Sequence, residues 1–172
     1  MSDVEGLERL LDERAIGRVL QTYCRGRDRL DPELISSIYH PGGTDLHGSY
    51  KGPGPSYAQW VVDTSARHEA TMHFIGNTTF AFDGDVCHTE TYVRATHVIE
   101  EDGPRLELFF GRYLDRFERR DGRWLIAQRV VVRDSMQTLP VTPMMPPRAF
   151  QGRRDHDDPS YAHLAMEVLD IP

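Results

Sequence analysis

The chain has 172 residues, 39% apolar and 27% charged, a composition that suits one globular domain able to bury a core. Its formal net charge of −7 opposes a general affinity for nucleic acid, whose phosphates it would repel. No apolar run reaches the roughly 18 residues of a membrane span, and the acidic stretch Met1 to Arg9 lacks the apolar core of a secretory signal. A cytoplasmic protein with no membrane or nucleic-acid partner is expected.

A first helix is predicted from about Glu5 to Arg27, because Ile16, Val19, Leu20 and Tyr23 recur on one helical face. Asp31-Pro32-Glu33 reads as N-cap, first-turn proline and first-turn acid of a second helix. Its apolar positions are Leu34, Ile35, Ile38 and Tyr39, and Pro41-Gly42-Gly43 should stop it. A short strand from Asp45 to Tyr50 should end in a turn at Lys51 to Pro55, before a third helix from about Ser56 to Glu69.

From Thr71 the pattern becomes β. Four strands are predicted: Thr71 to Phe82, Val86 to Ile99, Arg105 to Arg119 and Arg123 to Asp134. Asp83-Gly84 and Asp121-Gly122 are strong hairpin signals. Helices followed by a meander give an α+β domain, with three helices on a strongly curved, mainly antiparallel sheet. A sheet of such long strands coils and leaves a concave surface for a ligand. The fold domain is set at residues 1–134. Residues 135–172 form a proline-rich extension expected over the pocket or a neighbouring subunit: Leu139 to Phe150 should pack there, Arg153 to Asp158 should be exposed, and Tyr161 to Leu169 could form a short helix.

Four residues stand out chemically. Asp28 falls at the end of the first helix, at the edge of its apolar face. Partial burial there would make its carboxylate a better base, although a surface pairing with Arg27 or Arg29 fits the spacing as well. Alternation along the first long strand sets His73, Ile75, Asn77 and Thr79 on one polar face, with Met72, Phe74, Thr78 and Phe80 on the other. A histidine there can pass a proton near neutral pH, or simply pack. Arg129 lies inside an apolar strand, where a charge needs a partner. It could hold an oxyanion, or lock Asp28 or Glu90. Tyr23 is either a core tyrosine or a hydroxyl at the pocket end of the helix. Trp60, Phe74, Phe109 and Tyr113 are candidate pocket walls, with Asn77 beside His73. Cys24 and Cys87 form no CxxC pair and read as packed, reduced thiols. His68 and His73 have poor metal spacing, and no nucleotide-binding, GxSxG or HExxH motif occurs. No metal and no cofactor are expected.

The stretch Ile16 to Asp31, containing Tyr-Cys-Arg-Gly-Arg-Asp-Arg-Leu-Asp, resembles the opening helix of the SnoaL-like branch of the nuclear-transport-factor-2-like superfamily. Thr71-Met72-His73-Phe74-Ile75-Gly76-Asn77 resembles that branch's histidine strand, and Gly111 to Asp115 through Gly122-Arg123-Trp124 and Arg129 is similar to its closing hairpin. The resemblance covers about residues 7 to 134 and implies a cone-shaped α+β barrel. Scytalone dehydratase, the lindane dehydrochlorinase and bile-acid 7α-dehydratase belong to this branch. By resemblance, their catalytic aspartate and histidine fall on Asp28 and His73, the tyrosine of the bile-acid enzyme on Tyr23, and an arginine late in the sheet on Arg129. The implied activity is a cofactor-free lyase of aromatic or steroid catabolism, acting on a small hydrophobic ring substrate. A ketosteroid-isomerase-like activity and a non-catalytic β subunit of a ring-hydroxylating dioxygenase are the alternatives. The branch also implies a homo-oligomer, trimer ahead of dimer, which fits a sheet whose outer face lacks cover.

Overall fold

A computed structural model describes residues 3–65, 67–100, 103–141 and 151–166. Helix α1 spans Asp3–Arg29, α2 Pro32–Ser37 and α3 Gly54–Thr64. The strands are β1 Tyr39–His47, β2 Tyr50–Pro53, β3 His68–Asp83, β4 Val86–Glu100, β5 Pro104–Arg120 and β6 Arg123–Pro140, and a short α4 covers Pro159–Leu164. The six strands form one sheet in the order β2-β1-β6-β5-β4-β3. All pairings are antiparallel except β1 with β6. The sheet curls without closing, since β2 and β3 remain its two edges.

Local chemistry explains the helices. Ile16, Leu20 and Tyr23 of α1 are fully buried against the sheet and the other helices. Helix α1 ends in a reversal at Leu30, whose φ is +50°. Asp31 then caps α2 by accepting from Leu34 N at 3.0 Å. Gly26 lets α2 approach α1, because a Cβ there would lie 3.0 Å from the Ile35 backbone nitrogen. Tyr57, Ala58 and Val61 of α3 complete the layer over the sheet.

The structure corrects several boundaries. Helix α2 ends at Ser37, and Tyr39 already belongs to β1. The Pro41-Gly42-Gly43 segment is an irregular stretch within β1, where the register against β6 shifts between Tyr39 and Thr44. Lys51 to Pro53 pair as β2 rather than forming a turn, and α3 begins at Gly54 and stops at Thr64. Strand β6 runs to Pro140, paired with Arg105.

The largest correction concerns β3. Its register with β4 passes from Ile75↔Val93 to Thr78↔Thr91, so Gly76 and Asn77 together oppose Tyr92. This bulge inserts one residue and swaps the faces beyond it. His73, Ile75, Thr78, Phe80 and Phe82 share the more buried face, whereas Met72, Phe74, Asn77 and Thr79 are exposed. Phe74 is 65% exposed and, with Met72 and Tyr92, leaves the outer sheet face partly apolar.

Of the extension, residues 142–150 and 167–172 lie outside the described residues, and with them most of the stretch Leu139 to Phe150 and the end of the expected final helix. Leu139 itself is exposed at the end of β6. Residues 151–166 fold back on the end of α1. His156 Nε2 and the Tyr161 hydroxyl reach Asp31 at 3.1 and 2.8 Å. Arg29 pairs with Asp158 at 3.1 Å. Arg154 Nη1 donates to the carbonyls of Ser65 and His68 at 2.8 and 2.7 Å. Asp158 is therefore buried and Arg154 half-buried, whereas Arg153, Asp155, His156 and Asp157 are exposed as expected.

Candidate active site

A cavity of about 720 Å³ opens between α3 and the sheet. Its wall combines the rings of Tyr57, Trp60, Phe109 and Tyr113 with a polar corner of Arg27, His68, His73 and His97. The rings interlock: Tyr57 stacks on Trp60 at 5.7 Å and on His47 at 4.7 Å.

Asp28 and His73 meet at this corner. The end of α1 packs on the start of β3, which brings the carboxylate against the strand. The His73 backbone N–H reaches both Asp28 oxygens at 3.0 Å, and the Thr71 hydroxyl donates to Oδ1 at 3.3 Å. His73 Nδ1 lies 2.7 Å from Asp28 Oδ1. An ionised carboxylate only accepts, so Nδ1 carries the hydrogen and Nε2 keeps its lone pair. That nitrogen has no partner among the described residues. Burial lowers the His73 pKa, Asp28 raises it and Arg27 lowers it further, so the ring is neutral at pH 7.

Behind the wall lies a second ionic layer. Arg129 is fully buried and binds Asp115 bidentately, both contacts at 2.7 Å. Its guanidinium is sandwiched between the rings of Tyr23 and Tyr113, 4.3 Å from each centroid. The partner is thus Asp115, not Asp28 or Glu90; Glu90 instead pairs with Arg112.

Of the sequence candidates, His73, Trp60, Phe109 and Tyr113 line the cavity, and Asp28 holds His73 from behind. Tyr23 has no solvent exposure and packs edge-on at 6.2 Å from His73, one layer below the wall, so neither it nor Arg129 reaches the cavity. Phe74 and Asn77 turn away from it, because of strand alternation and the β3 bulge respectively. Sequence reasoning missed Arg27, His47, Tyr57, His68 and His97 as lining residues. His97 had a usable signal: β4 pairs with β3, and His97 lies opposite Thr71, diagonal to His73.

The histidines around the cavity resist protonation. Burial pushes His97 down to about 2 and His47 and His68 each to about 4. The unfolded chain takes up protons below pH 6.5, whereas the folded chain does so only at lower pH. The stability they allow is therefore full above pH 6.5 and falls towards pH 4. Each group costs at most about 1.4 kcal/mol per pH unit in that window, and less in practice because all three are partly exposed. The melting temperature should fall steadily from pH 6.5 to 4, and His97→Gln should flatten the slope. An unchanged slope in that variant would remove His97 from the account.

With this geometry established, the chain can be compared with known proteins. The SnoaL-like domain matches residues 8–130. The chain belongs to the SnoaL-like family. Among solved structures, this SnoaL-like chain is similar to a type 2 hexachlorocyclohexane dehydrochlorinase (LinA), with 21% identity, a TM-score of 0.73, and coverage of 83% of this chain and 98% of that one. It is similar to LinA-type3 from Novosphingobium barchaimii at 22% identity and a TM-score of 0.73, covering 83% and 99% of the two chains. A scytalone-dehydratase-like protein from Novosphingobium aromaticivorans follows at 19% identity and a TM-score of 0.69, covering 83% and 97%. These likenesses establish the SnoaL-like fold. No curated protein sequence matches the chain. No helix among the described residues is long and apolar enough to cross a membrane.

Proposed function

We propose that this SnoaL-like protein is a cofactor-independent lyase, a dehydratase or related β-eliminating enzyme acting on a small hydrophobic ring compound. The observation that carries the reading is the 2.7 Å contact of Asp28 with His73 at the wall of an aromatic-lined cavity. His73 Nε2 takes a proton from a carbon of the substrate. The electron pair of that C–H bond forms a C=C bond, and the β leaving group departs with the electrons of its own bond. Asp28 stabilises the imidazolium that forms and fixes its tautomer. His73 then passes the proton to the leaving group or to water. The dehydrochlorinase and dehydratase-like names among the structural neighbours support an elimination over other proton transfers.

The test is proton NMR of the purified chain with candidate ring alcohols and halides in D₂O. Loss of a β leaving group with formation of an alkene is the expected result. Deuterium uptake with migration of a double bond and no loss of any group would replace the lyase with an isomerase. No exchange at all, together with a large Rieske-type partner on purification, would make the chain a non-catalytic subunit.

A further inference from the structure

Two arginines are buried among the described residues, and they are treated differently. Arg129 is neutralised by Asp115 through two short hydrogen bonds. Arg27, at 7% exposure, has no hydrogen bond and no ion pair from its side chain among the described residues. Its Nε is buried without a partner. The Tyr57 ring lies 5.9 Å from the guanidinium carbon, at the outer limit of a cation–π contact, and Asp28 acts on it only through space, its carboxylate being hydrogen-bonded to His73. A guanidinium cannot shed its charge, so leaving one buried and unpaired is costly.

Arg27 lines the cavity. His68 Nδ1 and His97 Nδ1, in the same corner, are also buried without partners. Besides its histidines and tyrosines, the cavity is lined by Arg27, Arg67, Arg133 and Glu107, and Asp28 stands behind His73. Arg27 thus sets a buried positive charge in the cavity wall, which favours an anionic group beside it.

We propose that the substrate is an anion, a ring compound carrying a carboxylate whose oxygens pair with the Arg27 guanidinium. That the anion is the substrate rests on the elimination reading; the binding site stands on the cavity alone. A carboxylate matches the guanidinium fork with two parallel hydrogen bonds. The ring lies along Tyr57, Trp60 and Phe109, and the carboxylate is its handle, distinct from the carbon that His73 deprotonates.

The test uses the full chain with benzoate and its neutral isostere benzamide, measured by calorimetry and by Trp60 fluorescence. Benzoate should bind at least about tenfold more tightly, a preference worth about 1.4 kcal/mol. Arg27→Lys should keep part of that preference. Arg27→Gln should erase it by weakening benzoate far more than benzamide. Because removing a buried charge can alter folding, the wild-type comparison decides by itself: equal binding of the two ligands overturns the proposal. A preference retained in Arg27→Gln overturns it too. So does a variant that slows turnover without weakening benzoate, which would make Arg27 a stabiliser of transition-state charge. His73→Ala should keep the full benzoate preference, so loss of the elimination reading and loss of this one are read separately.

Discussion

His73→Ala should lower turnover by about 10²–10⁴-fold, the ordinary worth of a positioned proton-transfer group, while the protein stays folded. The imidazole is the base in the proposed step, and nothing else at the wall can replace it. His47, His68 and His97 are neutral, but burial pushes their pKa values to about 4, about 4 and about 2, which makes them far weaker bases. The fold should survive because Asp28 keeps the backbone N–H of residue 73 and the Thr71 hydroxyl. Asp28→Asn should cost less, though still orders of magnitude. An amide oxygen can accept from Nδ1–H and preserve the tautomer, but it cannot neutralise an imidazolium. Steady-state kinetics with thermal melts of both variants check this. Near wild-type turnover in His73→Ala would end the mechanism.

The second large effect is on stability. Asp115→Ala should cost about 3–5 kcal/mol, because it leaves the Arg129 guanidinium charged, buried and unpaired. Against a typical domain stability of about 5–15 kcal/mol, that puts the variant near unfolding. Burial already pushes the Asp115 carboxyl above its usual value, and Arg129 recovers only part of that cost. The pair is thus expensive to keep and more expensive to break. The double variant Arg129→Met/Asp115→Leu removes both charges and should recover most of the loss. Urea melts of the single and double variants measure the coupling. Equal destabilisation in both would mean that shape, and not charge, sets the cost.

The order of elements was legible because each has a local cause. The α1 stripe of Ile16, Leu20 and Tyr23 needs a sheet to cover it, Asp31-Pro32 starts a helix, and Asp-Gly at 83–84 and 121–122 closes hairpins. The nearness of Asp28 to His73 follows from a helix end that must pack beside a strand start. What could not be read were the bulges. Counting back from the 121–122 turn without interruption places Leu114 opposite Arg129. The irregularity between Arg116 and Phe117 moves Asp115 there instead. In β3 a similar slip turned Asn77 outward. Binary patterning assumes an unbroken period of two, and a single extra residue defeats it. Arg27 was missed for another reason. Asp28 follows it directly in sequence, and only the folded chain shows that this carboxylate turns to His73 instead.

The C-terminal segment has a consequence for where this protein can be cut. The family match stops at residue 130, which invites truncation near there. Yet Asp31, the residue that starts α2, accepts from His156 and Tyr161, and Arg154 caps the carbonyls at the α3–β3 junction. Strand β5 from Arg105 to Phe110 is paired only by residues 135–140 on its β6 side. A fragment ending at Asp134 would carry a raw strand edge and a helix junction stripped of its brace. Domain grafts should therefore be drawn past the matched stretch, far enough to keep the brace and the partner of β5.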